Sequence, residues 1–229
     1  MLGVGCTYND MIDRKIDAKV TRTKQRPIPS GKVSVKKAWI FLGAQMGLAF
    51  ILFLLLSPFA KIVALGCLPF LFLYPYMKRI TFFPHLFVGI ILNYGVLLSW
   101  AQTYGEITLS PVLVYLGCLF WSAGYDATYA IQDKKDDKKS GVKSAPLKLG
   151  KNIKKYLYGV YGAMLVLTML GAYGQMNAAF FIIYPLAWAA LPGGVYKMNI
   201  KKTEAGFSGF HANRRIGAGI LLAFIIGII

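Results

Sequence analysis

Acidic side chains are scarce in this 229-residue chain, nine against 26 lysines and arginines, and seven of the nine fall into two clusters. Asp10, Asp13 and Asp17 form the first; Asp126, Asp133, Asp136 and Asp137 form the second. A solvated surface would scatter its acids, whereas here only Glu106 and Glu204 stand apart. On a helix turning about 100° per residue, Asp10, Asp13 and Asp17 fall within about 60° of one another. The same geometry puts Asp126, Asp133 and Asp137 within about 40°, with Asp126 about 10 Å deeper along the axis than Asp133. Carboxylates stacked on one face near hydrocarbon repel one another and lose solvation, so something must offset that cost. Oxygen-only donor sets suit Mg²⁺, which takes one or two carboxylates plus phosphate oxygens and waters.

Cations accompany the acids. Arg22-Thr23-Lys24-Gln25-Arg26-Pro27 follows the first cluster, Lys143-Ser144 follows the second, and Lys78-Arg79 forms a short basic pair between them in the chain. Arginine presents a planar fork suited to phosphate and lysine a mobile point charge. Two carboxylate clusters that could hold divalent metal, with these cations on the same side, describe a site for a polyanion such as a diphosphate.

The elements that must position these groups are apolar. The chain is 56% hydrophobic and only 15% charged, against about 25% charged in a soluble domain. Seven stretches are long enough, or nearly so, to cross about 30 Å of hydrocarbon: Ala38–Leu56, Phe59–Met77, Phe82–Gln102, Leu109–Ile131, Tyr156–Tyr173, Ala178–Tyr196 and the shorter Ile216–Ile229. Met1–Met11 reads as the final turns of a further helix. The connections alternate: Arg14–Lys37, Lys78-Arg79, Lys134–Lys155 and Lys197–Arg215 together hold 25 of the 26 basic residues, with Lys61 alone on the other side. The positive-inside rule makes the basic side cytoplasmic, or the matrix in a mitochondrion. This accounts for the net charge of +17 without nucleic acid. A diphosphate on a hydrocarbon tail would meet metal at that interface and lay its tail between helices. The 14 tyrosines and 15 phenylalanines offer rings that could stabilise a carbocation, though most are packing or lipid-facing residues. Cys6, Cys67 and Cys118 lack metal-ligand spacing and read as small apolar packing residues, and His85 and His211 as lone packing or loop histidines.

Two long motifs then carry a resemblance. Asn9-Asp10-x-x-Asp13-x-x-x-Asp17, continuing into Arg22-Thr23-x-x-Arg26-Pro27-x-x-Ser30-Gly31, resembles the first motif of the UbiA prenyltransferases. Tyr125-Asp126-x-x-Tyr129-Ala130-x-Gln132-Asp133-x-x-Asp136-Asp137, followed by Gly141-Val142-Lys143-Ser144, is similar to the second motif of the branch that prenylates 4-hydroxybenzoate. Tyr74-Pro75-x-x-Lys78-Arg79 fits it as well.

The resemblance implies an all-α, polytopic transmembrane bundle of nine helices, of which about eight are expected here. Residues 1–229 would form a single transmembrane prenyltransferase domain, with the first helix and part of the second upstream. It implies Mg²⁺ held by Asn9, Asp10, Asp13 and Asp17 on one side and Asp133 and Asp137 on the other, bridged by a polyprenyl diphosphate. Arg22, Arg26, Lys78 and Lys143 would bind the diphosphate, with Arg79 joining them or holding the acceptor's carboxylate. Asp126 would orient the acceptor's phenol or accept its proton. The reaction implied is prenylation of 4-hydroxybenzoate at the carbon ortho to its hydroxyl, a step in ubiquinone biosynthesis, at an inner membrane of a bacterium or mitochondrion. Met198-Asn199, where relatives often carry an acid, receives no role. Other acceptors (homogentisate, a naphthoate or haem) remain open within the family, as does a non-enzymatic carrier outside it. A CDP-alcohol phosphotransferase would need a D-G-x-x-A-R run that the sequence lacks.

Overall fold

The computed structural model describes residues 2–200 and 204–229, with the side chains of 3–200, 209 and 213–229. Lys201, Lys202 and the side chains of Glu204 and His211 therefore lie outside the described residues. Helix α1 (Leu2–Asp17) carries the first acidic cluster. The apolar runs follow as α2 (Val35–Leu54), α3 (Pro58–Gly66) with α4 (Leu68–Ile80), and α5 (Pro84–Asn93) with α6 (Gly95–Tyr104). Next come α7 (Leu109–Tyr129), the short α8 (Lys134–Ser140) and α9 (Ala145–Leu149), then α10 (Ile153–Ala172), α11 (Ala178–Trp188) with α12 (Ala190–Lys197), and α13 (Glu204–Ile228).

Three runs expected as single spans are pairs of helices. Pro69 has no N–H to donate to Leu65 and Pro192 none for Trp188, so the ladder breaks around Cys67 and Ala189. At Tyr94 the backbone tightens to an i−3 bond, and the Asn93 amide turns to the Gly89 carbonyl and the Ser122 hydroxyl. Ser34, Ser57 and Asn177 cap α2, α3 and α11 through side-chain oxygens that accept backbone N–H groups.

α2, α3–α4, α5–α6 and α11–α12 are each long and apolar enough to cross a membrane, and only 11–22% of their most apolar stretches is buried inside the chain. The outward rings and aliphatic chains, Trp39, Phe41, Phe50 and Leu186 among them, suit hydrocarbon rather than water. The interior is built around α7 and α10, which share the most extensive helix interface. They approach closely because Gly117 lies against Thr168 and Gly124 against the Tyr161 ring, where a Cβ would collide. Tyr161, Leu157, Met164, Phe180 and Tyr184 fill the core between α7, α10, α11 and α13. A smaller core (Val4, Met11, Ala38, Leu42, Leu71) fastens α1 to α2 and α4.

The basic connections share one end of the bundle. Thr21 in the α1–α2 connection reaches Asp136 in α8, and the Lys143 backbone N–H donates to the Lys78 carbonyl at the end of α4 (3.0 Å). Lys154 at the start of α10 donates to the Tyr196 carbonyl at the end of α12 (2.9 Å).

Candidate active site

The first cluster keeps its helical register. α1 runs unbroken through Asp17, so Asp10, Asp13 and Asp17 share an arc. Asp13 is fully buried and receives Lys78 Nζ at 2.8 Å on one oxygen and Arg79 Nη2 at 3.2 Å on the other. Arg26 reaches back from the following connection to Asp10 (2.8 Å) and Asp17 (3.5 Å). The Thr23 hydroxyl donates to the Asp17 carbonyl (2.9 Å), closing that connection against the helix end. One turn before Asp13, the Asn9 side-chain oxygen is buried without a hydrogen-bond partner.

The second cluster does not share one helix face. α7 ends at Tyr129, and Ile131, Gln132 and Asp133 donate their N–H groups to carbonyls three residues back. Such a turn has about three residues per revolution, so it rotates Asp133 and Asp137 away from the direction that a continuous α-helix would give. Asp126 belongs to α7, Asp133 precedes α8 and Asp137 is buried in it. What reunites them is contact with other elements. Arg22 forks onto Asp133 through Nη2 (2.6 Å) and Nε (3.1 and 3.2 Å), and its guanidinium lies 5.1 Å from the centre of the Tyr129 ring. The Thr21 N–H donates to Asp136 (3.0 Å). Gly141 closes α8 at φ 71°, a left-handed conformation that suits glycine, and returns the chain so that Lys143 Nζ donates to the Ile80 carbonyl (3.1 Å).

Lys78 and Arg22 join the two clusters. The charge of Lys78 acts on Asp17, Asp126 and Asp137 as well as on its partner Asp13. The charge of Arg22 acts on Asp126 and Asp137 as well as Asp133. Burial pushes the Asp137 carboxyl up to about 6, with Asp133 adding to the shift and the two cations opposing it. The backbone N–H of Thr21 holds its neighbour Asp136 below the usual carboxylate range.

Among the described residues, no three His, Cys, Asp or Glu side chains converge closely enough to hold a metal by themselves. The donors nonetheless fit a hard divalent cation that completes its shell with phosphate oxygens. They are oxygen only, and the orphaned Asn9 oxygen supplies a buried acceptor one turn from Asp13. The arrangement is therefore a concentrated set of carboxylates neutralised by arginines and lysines at the interface, able to exchange those partners for metal and a polyanion.

The predicted acids and cations Asp10, Asp13, Asp17, Arg22, Arg26, Lys78, Arg79, Asp133, Asp136, Asp137 and Lys143 lie together at this end of the bundle. Sequence reasoning missed the Thr21 N–H, because a backbone donor carries no sequence signal, and treated His85 as an isolated packing residue. His85 is indeed buried, and it makes a 2.6 Å hydrogen bond with Tyr156, a pairing of residues 71 apart that no local spacing announces. Cys6, Cys67 and Cys118 are free thiols; Cys67 is buried as a packing residue would be, whereas Cys6 is exposed.

The model of the UbiA prenyltransferase family matches residues 1–215. The chain belongs to that family. It is 37% identical over 229 residues to the mitochondrial 4-hydroxybenzoate polyprenyltransferase of Homo sapiens, covering 99% of this chain and 62% of that protein. The Arabidopsis thaliana protein of the same name is 36% identical, across 98% of this chain and 56% of its own length. The chain thus spans between half and two thirds of the curated relatives it matches. Among solved structures, the apo form of a UbiA homolog from Aeropyrum pernix K1 aligns with a TM-score of 0.79 at 25% identity, over 96% of this chain and 84% of that one. A UbiA homolog from Archaeoglobus fulgidus, bound to GPP and Mg²⁺, shares the fold with a TM-score of 0.68 at 20% identity, over 99% of this chain and 83% of its own. This UbiA family member is an integral membrane protein with an all-helical transmembrane bundle.

Proposed function

We propose that this chain forms a single prenyltransferase domain that moves a polyprenyl group from its diphosphate to the ring carbon of 4-hydroxybenzoate ortho to the hydroxyl. The observation that carries the reading is the bridging of two carboxylate clusters by Lys78 and Arg22 at the membrane interface. Isolated surface acids need no such arrangement, whereas a lipid-linked diphosphate needs opposed anion-neutralising groups at the depth where its head meets its tail. Similarity to relatives named 4-hydroxybenzoate polyprenyltransferase supports the acceptor.

In this reading Asn9, Asp10, Asp13 and Asp17 would hold Mg²⁺ from one side, and Asp133 and Asp137 from the other. Bound Mg²⁺ would stabilise negative charge developing on the departing diphosphate. Lys78, Arg22, Arg26 and Lys143 release their carboxylate or carbonyl partners and close on the diphosphate, which offers the same anionic acceptor chemistry. As the allylic C–O bond breaks, these cations hold the leaving group while the ring carbon attacks. Asp126, deeper on α7, orients the acceptor's phenol. Arg79 is half exposed beside Asp13, with N–H groups to spare for the acceptor's carboxylate. The basic end of the bundle would face the matrix or cytoplasm of an inner membrane.

Membranes carrying the protein should transfer a labelled polyprenyl group to 4-hydroxybenzoate in preference to homogentisate or dihydroxynaphthoate. Preference for either of those overturns the choice of acceptor. Thiol labelling of Ser34→Cys and Ser140→Cys should proceed from the same side of the membrane; labelling from opposite sides would refute the shared site.

A further inference from the structure

The hydrogen-bonded His85–Tyr156 pair has no part in the assignments above. His85 sits in the first turn of α5, a few residues after Lys78 and Arg79, and is 3% exposed. Tyr156 sits in the first turn of α10, after the connection that carries Lys143, and is only half-buried. His85 Nε2 and the Tyr156 hydroxyl are 2.6 Å apart, with the two rings nearly perpendicular. Phe83 packs on both.

Two features point beyond packing. The buried His85 imidazole costs desolvation that an apolar residue would avoid, and an ionisable side chain within a membrane-spanning segment marks function by default. The pair also lies beside the site: the charge of Asp126 reaches Tyr156, and those of Lys78 and Arg22 reach Asp126. Asp126 thus links the diphosphate cations to Tyr156, which the Gly117–Thr168 and Gly124–Tyr161 contacts place level with the end of α7, and His85 lies behind it. Tyr156 is the accessible member and His85 the enclosed one.

We propose that Tyr156 and His85 together accept the proton that aromatic prenylation releases. The proposal rests on the reading that a hydroxyaryl acceptor is prenylated here. Once the ring carbon has bonded to the prenyl group, its C–H bond must break and return its electrons to the ring. The proton passes to the Tyr156 oxygen as the Tyr156 hydroxyl proton passes to His85 Nε2. The resulting imidazolium returns its proton through the less enclosed Tyr156 hydroxyl to water after product leaves. Tyr156 is the catalytic residue; His85 is a positioning and relay residue that acts through it.

Tyr156→Phe keeps the ring and removes the relay oxygen, and His85→Gln keeps a polar partner that cannot store a proton. Each should lower turnover about 100-fold, with KM for the polyprenyl diphosphate and thermal unfolding in detergent unchanged. The diagnostic readout is an acceptor deuterated ortho to its hydroxyl. The parent should show no primary isotope effect, because C–O ionisation limits it, whereas both variants should show one, because C–H cleavage has become slow. Undiminished turnover in either variant, turnover lost without an isotope effect, or loss of the fold in Tyr156→Phe would each overturn the proposal. The comparison is made with whichever aromatic acceptor the parent prenylates. A parent that prefers another hydroxyaryl acid therefore refutes only the acceptor, and one that prenylates no aromatic acceptor refutes both readings.

Discussion

Asp13 and Asp133 belong to two clusters at one end of the bundle, yet the chain secures them in opposite ways. Asp13 is held by covalent register: one unbroken helix sets its direction, no part of it is exposed, and its oxygens are divided between Lys78 and Arg79. Asp133 is held by contact alone. The helix before it has ended in a tight turn, the seven-residue α8 follows it, and its bonds come from Arg22 in another connection. The first cluster is a preorganised wall, and the second is a movable one that Arg22 and Thr21 fasten in place. In the proposed function, a site that admits a bulky lipid diphosphate and then closes on it would be well served by one fixed and one adjustable half.

The comparison can be broken most directly by neutralising each wall. Asp13→Asn and Asp133→Asn should each reduce turnover about a thousandfold, because stabilising the leaving group is a transition-state effect worth several kcal/mol. The double variant should be little worse than either single, since in the proposed reaction both halves serve one diphosphate. Stability should separate them. Asp13→Asn leaves Lys78 and Arg79 without their buried counter-ion and should cost about 1–3 kcal/mol of unfolding free energy. Asp133→Asn loses a pair whose arginine is 37% exposed and should cost no more than about 1 kcal/mol. Equal stability losses, or substantial Mg²⁺-dependent turnover in both single variants, would contradict the division into fixed and movable walls.

The same contrast explains what was legible in the sequence. Hydropathy located six of the seven spans to within about three residues because hydrocarbon thickness imposes a length on each. It started the last at Ile216, whereas α13 begins at Glu204, because a polar stretch with Arg214 and Arg215 can be helical without being apolar. It joined α3 to α4 and α11 to α12 because hydropathy does not register the N–H that Pro69 and Pro192 lack. Helical spacing read the first cluster correctly because α1 is continuous there. It misjudged the second because the switch to i−3 bonding after Tyr129 follows from backbone geometry, where nothing in Ala130-Ile131-Gln132 breaks a helix. The cations were identifiable by type, but their pairings were not: Arg22 with Asp133 and Lys78 with Asp13 join residues 111 and 65 positions apart.

A smaller effect tests the fastening itself. Arg22→Lys keeps the charge but loses the fork that grips both oxygens of Asp133. The efficiency kcat/KM should fall about tenfold, roughly the 1.4 kcal/mol of one mispositioned charge-assisted contact. The loss should appear mainly as a raised KM for the diphosphate, because the movable wall closes less often. Asp136→Asn should be milder still, within about threefold of the parent, because an asparagine oxygen can still accept the Thr21 N–H. A severe loss there would mean that Asp136 belongs to the metal set and that Asp133 or Asp137 does not.

The finest test uses the adjacent carboxylates Asp136 and Asp137, whose environments act in opposite directions. Asp136 is depressed, chiefly by the Thr21 N–H, so its folded form prefers the ionised state. Its contribution to stability is present above the unfolded value and is lost as pH falls through the depressed one. Asp137 is raised from 3.8 to about 6, chiefly by burial, so between those values the folded state holds a proton that the unfolded state has released. Its contribution is present below about 3.8 and is lost as pH rises towards about 6. Unfolding free energy followed by denaturant titration from pH 4 to pH 7, without added divalent metal, should therefore decline less steeply in Asp137→Asn than in the parent. Asp136→Asn should leave that decline unaltered and remove only a loss at more acidic pH. If Asp137→Asn leaves the slope between pH 4 and pH 6 unchanged, α8 does not bury Asp137 in the metal-free protein, and the second wall is open rather than fastened.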